Sequence, residues 1–87
     1  MGYQLRTGVS TAETDVGLTV LDEDSGEYFN LNPTGALVLG VLLDGGTPDH
    51  AIERLMAAYD VDRDTAEADV RDLVSALESA GLVSTDA

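Results

Sequence analysis

Apolar positions recur with two different periods along the chain, close to two up to about residue 31 and between three and four beyond it. Three short β-type runs, at residues 3–9, 17–22 and 27–31, occupy the first part. Glu23-Asp24-Ser25-Gly26 joins the second run to the third, and a glycine able to take a positive φ makes that pair an antiparallel hairpin. Alternation in the third run groups Phe29 with Leu31 and sets them apart from Tyr28 and Asn30. It assigns Phe29 and Leu31 to the core.

The longer period predicts three helices. Asn32-Pro33 is a start signal, because Asn caps and Pro at the first helical position lacks only an N–H that has no partner there. A helix over 33–43 follows, and its near-continuous Ala, Leu and Val content predicts a central element covered on most sides. Asp44-Gly45-Gly46 ends it, and Thr47-Pro48-Asp49 starts a second, amphipathic helix with a stripe of Ile52, Leu55, Met56 and Tyr59. Asp62 caps a third and longest helix, whose stripe Ala66, Val70, Leu73, Val74, Leu77 and Ala80 runs to a stop at Gly81. Leu82 and Val83 are expected to pack back, and residues 84–87 to form a disordered tail. The predicted fold class is α+β, a winged helix-turn-helix-like domain over 1–83 with a three-stranded antiparallel sheet followed by three helices.

Composition narrows the chemistry. A chain of 87 residues builds one small core, and without Cys it has neither disulfides nor thiolate ligands to reinforce that core. The first residues lack the basic and apolar blocks of a signal peptide, and the apolar stretch at 36–43 is too short to span a bilayer, which predicts a cytoplasmic protein off the membrane. Seventeen Asp and Glu against four Lys and Arg give a net charge of -13, which repels phosphate backbones. A DNA-binding winged-helix regulator is thereby disfavoured. The third helix, the one that would enter the major groove, carries Asp64, Glu67, Asp69, Asp72 and Glu78 against Arg63 and Arg71.

Catalytic constellations are equally scarce. His50 is the only histidine and reads as an exposed residue in the first turn of the second helix. Asp22, Glu23 and Asp24 lack the length and closing Glu of an EF-hand loop and read as a solvated hairpin tip, so no metal is expected. Gly45-Gly46 has no following Lys for a phosphate loop, and a helix stop accounts for it. Asp24-Ser25-Gly26 invites comparison with an acyl carrier protein, but there the Ser opens a helix, whereas Ser25 lies in a hairpin. No catalytic residue and no cofactor are expected. What the architecture offers is the Pro-free third run, an edge to which a visiting strand can add, beside a helix flank of Val70, Leu73 and Leu77. That edge also makes self-association of an otherwise monomeric chain possible.

The order of motifs resembles the PqqD family. The resemblance is carried by Gly17-Leu18-Thr19-Val20-Leu21-Asp22, by Gly26-Glu27-Tyr28-Phe29-Asn30-Leu31-Asn32-Pro33-Thr34-Gly35-Ala36, by the Gly45-Gly46-Thr47 stop and by Ala66-Glu67-Ala68-Asp69-Val70 ahead of Leu73, Leu77 and Gly81-Leu82-Val83. It covers residues 5–83, with Leu39 standing where many relatives place Trp. Within the family the chain is most similar to the stand-alone leader-recognition elements of lasso-peptide biosynthesis. A chaperone presenting a precursor to a radical SAM enzyme is the alternative.

The resemblance implies a non-enzymatic recognition element for ribosomally made peptides (RiPPs). Such an element binds the leader of a precursor antiparallel to the third strand and delivers it to a leader peptidase or other modifying enzyme. Its implied contact residues are Glu27, Tyr28, Phe29, Asn30 and Leu31 on the strand, with Ala66, Asp69, Val70, Leu73, Ala76 and Leu77 on the helix. The small Ala66 and Ala76 would make room for a bulky anchor, and Asp69 and Asp72 would meet a leader Lys or Arg.

Overall fold

Residues 2–86 are described by a computed structural model. The strands are β1 (Gly2–Leu5), β2 (Val9–Thr14), β3 (Gly17–Asp22), β4 (Tyr28–Leu31) and β5 (Val83–Asp86), with helices α1 (Pro33–Leu43), α2 (Pro48–Ala58) and α3 (Arg63–Ser79) between β4 and β5. Strands β2, β3 and β4 form an antiparallel sheet in that order, and β1 pairs with β5 in a separate ladder. The α+β class, with a three-stranded sheet and three helices, is the one the sequence predicts.

The sheet's first member differs from expectation. Residues 3–9 read as one strand, but the chain turns at Arg6-Thr7-Gly8, where Gly8 takes φ 89 and the Val9 N–H donates to the Arg6 carbonyl at 3.0 Å. The run therefore divides between β1 and β2. β2 reads Val-Ser-Thr-Ala-Glu-Thr, and its exposed side chains give no apolar alternation by which to recognise it. A second difference lies at the other end, where the expected tail is strand as far as Asp86. Leu5 pairs with Val83, Gln4 with Ser84 and Tyr3 with Thr85. Ser84 and Thr85 carry no apolar signal, and their partner is at the opposite end of the chain. Ala87 lies outside the described residues.

The helix boundaries follow from local chemistry. Asn32, Thr47 and Asp62 each accept a hydrogen bond from the backbone N–H three residues on, at 2.9, 3.1 and 2.8 Å. At the far end of α3, Gly81 (φ 74) donates to Glu78 and Leu82 donates to Leu77, the paired bonds of a Schellman stop. Leu82 is thereby turned back onto Leu77 in the core. α1 ends the same way, with Gly45 donating to Leu42 and Gly46 to Val41. A β-carbon on Gly46 would lie 2.7 Å from the Val41 carbonyl oxygen, so that stop requires glycine.

α1 is the central element. Val38, Val41 and Leu42 pack with Ala51, Ile52 and Leu55 of α2 and Ala66 and Val70 of α3. Leu39 packs the other way, with Val20 of β3, Leu77, Leu82 and Val83. α2 buries Ala51, Ile52 and Leu55, leaving Met56 and Tyr59 exposed at the edge of their stripe. Phe29 does not join the core to which alternation assigns it. It sits opposite the fully buried Val20 yet is 39% exposed, because α3 makes its main contacts with α1, α2 and β5 rather than with β4. Leu31 is half-buried against the second cluster.

Candidate functional site

The free edge of β4 can be resolved group by group from the register. Leu21 lies opposite Tyr28, so Asp22 lies opposite Glu27, and the Asp22 N–H donates to the Glu27 carbonyl at 2.9 Å. In an antiparallel pair, residues that exchange hydrogen bonds alternate with residues that do not. Glu27, Phe29 and Leu31 therefore turn both backbone groups toward β3, whereas Tyr28 and Asn30 turn theirs outward. The Thr19 hydroxyl, which donates to the Asn30 side-chain oxygen at 2.7 Å, fits this parity, since side chains approach most closely at the non-bonded pairs. An added strand thus finds the N–H and C=O of Tyr28 and Asn30.

Beside this edge, on the side toward α3 and its C-terminal end, lie two hollows, together referred to as the trench. One end is a cleft of about 320 Å³ lined by Asn30, Leu31, Thr34, Gly35, Asp69 and Leu73, with Val38 and Leu55 deeper in. At the other end a hollow of about 190 Å³ lies among Phe29, Glu27, Ala80 and Leu82. Asp69, Leu73 and Ala76 of α3 and its C-cap Ala80 recur at four- and three-residue spacing, so one side of the helix serves both ends. Leu73 is half-buried and touches both core clusters, whereas Asp69 and Ala76 are exposed.

The residues expected on the helix thus divide. Asp69 and Leu73 line the cleft, and Ala76 shares their face of the helix by spacing without lining either hollow. Ala66, Val70 and Leu77 are buried at 0%, 1% and 2% exposure, with Ala66 packed among the three helices. Any room left by the small side chain of Ala66 is already filled. On the strand, Tyr28 and Asn30 present backbone to the edge and side chains to the outer face, while Phe29 and Leu31 present side chains to the trench. Thr34, Gly35 and Ala80 also line it without having been singled out as contacts, because in the sequence they read only as helix start and helix end.

Charge along the trench is one-sided. Asp69 stands at one end and Asp22 and Glu27 at the other, and no arginine lines either hollow. Arg63 is engaged with Asp49 and Glu67, and Arg71 with Asp72, so Asp72 meets an Arg of its own helix. Among the described residues no group of His, Asp or Glu is arranged to hold a metal ion, and His50 is exposed in the first turn of α2. The Asp62 carboxyl is held below its usual value by the Thr65 backbone N–H, with help from the Thr65 side chain.

The sheet edge and trench define the class. The sequence profile of the family described as coenzyme PQQ synthesis protein D (PqqD) matches residues 17–83, and the chain belongs to that family, as a RiPP recognition element. Two solved structures share its fold over nearly the whole length. One, described as lasso peptide synthetase B1 complexed with the leader peptide, is 40% identical with a TM-score of 0.89, covering 98% of this chain and 100% of its own. The other, TbiB1 in complex with the TbiA(beta) leader peptide, is 31% identical with a TM-score of 0.84, covering 97% of this chain and 98% of its own. Curated protein sequences contain no match.

Proposed function

We propose that this protein binds the leader segment of a ribosomally made precursor, as a lasso-pathway recognition element, and delivers it to a leader peptidase or another modifying enzyme. The observation that carries the reading is the unpaired edge of β4 beside the α3 trench, in a fold shared with two relatives that were solved with leader peptides. An antiparallel visitor passes Leu31 first and Phe29 two residues later. Its side chains at those two places point inward, one into the Leu31–Leu73 cleft and the next into the hollow beside Phe29 and Ala80. Between and beyond them, its backbone bonds to Tyr28 and Asn30. Glu27, Tyr28, Phe29, Asn30, Leu31, Asp69, Leu73 and Ala76 make the contacts, and Ala66, Val70 and Leu77 hold the helix that presents them.

The protein contributes binding rather than chemistry, acting in the cytoplasm as a monomer that raises the precursor's concentration at the enzyme. The test is titration of isotope-labelled protein with the leader of the precursor encoded beside it. The amides of Tyr28 and Asn30 and the trench face of α3 are expected to shift. Shifts confined to the loops between helices, with β4 and α3 silent, would overturn the reading.

A further inference from the structure

We propose that the outer face of the β2–β3–β4 sheet is where the enzyme receiving the precursor docks, the enzyme meeting it with an uncharged surface ringed by the enzyme's own basic side chains. The inference rests on the leader-binding reading above. The pleat places Ser10, Ala12, Thr19, Leu21, Tyr28 and Asn30 on this face, where they border one shallow hollow of about 490 Å³. The helices pack on the other face, and Tyr28 is 60% exposed. In a chain of net charge -13, not one of these six residues is charged.

The charges stand at the two ends. Asp15 stands at the β2–β3 turn and Glu23 and Asp24 at the β3–β4 turn, all exposed, with no Lys or Arg anywhere in residues 9–31, whereas Glu13 and Glu27 alternate onto the helix side. A charge-free centre with an aromatic residue and a polar rim is the anatomy of a protein interface. The sign of the rim selects a basic partner and speeds encounter with it. A second copy of this chain would bring the same acidic rim against itself, so self-pairing is opposed.

The face is also continuous with the leader. A strand added to β4 places the side chains opposite Tyr28 and Asn30 on this side of the sheet. A docked enzyme therefore touches the leader as well as the protein, and binds the loaded form more tightly than the empty one. By linkage, the enzyme tightens leader binding by the same factor.

The test measures binding of the purified leader peptidase of the pathway to this protein, with and without leader. Ala12 is exposed on an edge strand remote from β4, a place where charged residues are tolerated, so Ala12→Glu leaves the fold and leader affinity intact. It is expected to weaken peptidase binding at least about tenfold, whereas Ala12→Val retains it, with thermal melts of both confirming the fold. Leader is expected to raise the peptidase affinity, and added salt to lower it. Unchanged peptidase binding by Ala12→Glu would overturn the proposal, as would a homodimer that Ala12→Glu dissociates. Failure of the leader reading shows separately, as no leader binding by the unmodified protein.

Discussion

Leu73 carries the most at the scale of single residues, because it lines the cleft while touching both core clusters. Leu73→Asp is expected to weaken leader binding by about tenfold or more and to lower stability by about 1–3 kcal/mol, since a charge then sits at a half-buried position. Isothermal titration beside a thermal melt separates the two effects. Ala76→Trp is the companion variant, filling the trench from an exposed position, and is expected to lower affinity with the melting temperature unchanged. Asp62 gives a pH signature. The Thr65 N–H holds its carboxyl below the usual aspartate range in the folded state, so its contribution to stability is present above the unfolded value and is lost as pH falls through the folded one. Asp62→Asn keeps a cap and removes that part of the acid sensitivity, which denaturant melts from about pH 5 downward detect.

At the scale of elements, the parity of β4 separates two proline substitutions that the sequence alone treats alike. Leu31 turns its N–H toward Leu18 inside the ladder, so Leu31→Pro leaves a carbonyl of β3 without its donor and costs about 1–3 kcal/mol. The N–H of Asn30 faces the free edge, where proline is tolerated. Asn30→Pro is therefore expected to keep the circular dichroism of the fold and lose leader affinity, while Leu31→Pro loses both. Strand β2 makes the converse point about legibility. Apart from Val9 and Ser10 its side chains meet solvent, so the alternation that reveals β3 is missing. The helices, by contrast, were readable to within a residue or two because caps at Asn32, Thr47 and Asp62 and stops at Gly45 and Gly81 act through neighbouring backbone groups.

For the molecule as a whole, the pairing of β1 with β5 joins the two ends of the chain beside the core residues Leu82 and Val83. Ending the chain after Val83 removes the partners of Gln4 and Tyr3, and is expected to lower the melting temperature by about 5 °C or more in a calorimetric scan. A true tail would leave it unchanged.

The sequence by itself determined the α+β class, the three helices, the β3–β4 hairpin and the sign of the surface charge, because each depends on residues close to one another or on composition. It also marked 27–31 and the third helix as the candidate site. Only the tertiary structure decided which side of each element that site uses. It sealed Ala66, Val70 and Leu77 into the core, left Phe29 half-open and turned the Tyr28 and Asn30 backbones outward. Those outcomes depend on where α3 comes to rest against α1, α2 and β5, a long-range packing choice that no local window of the chain contains.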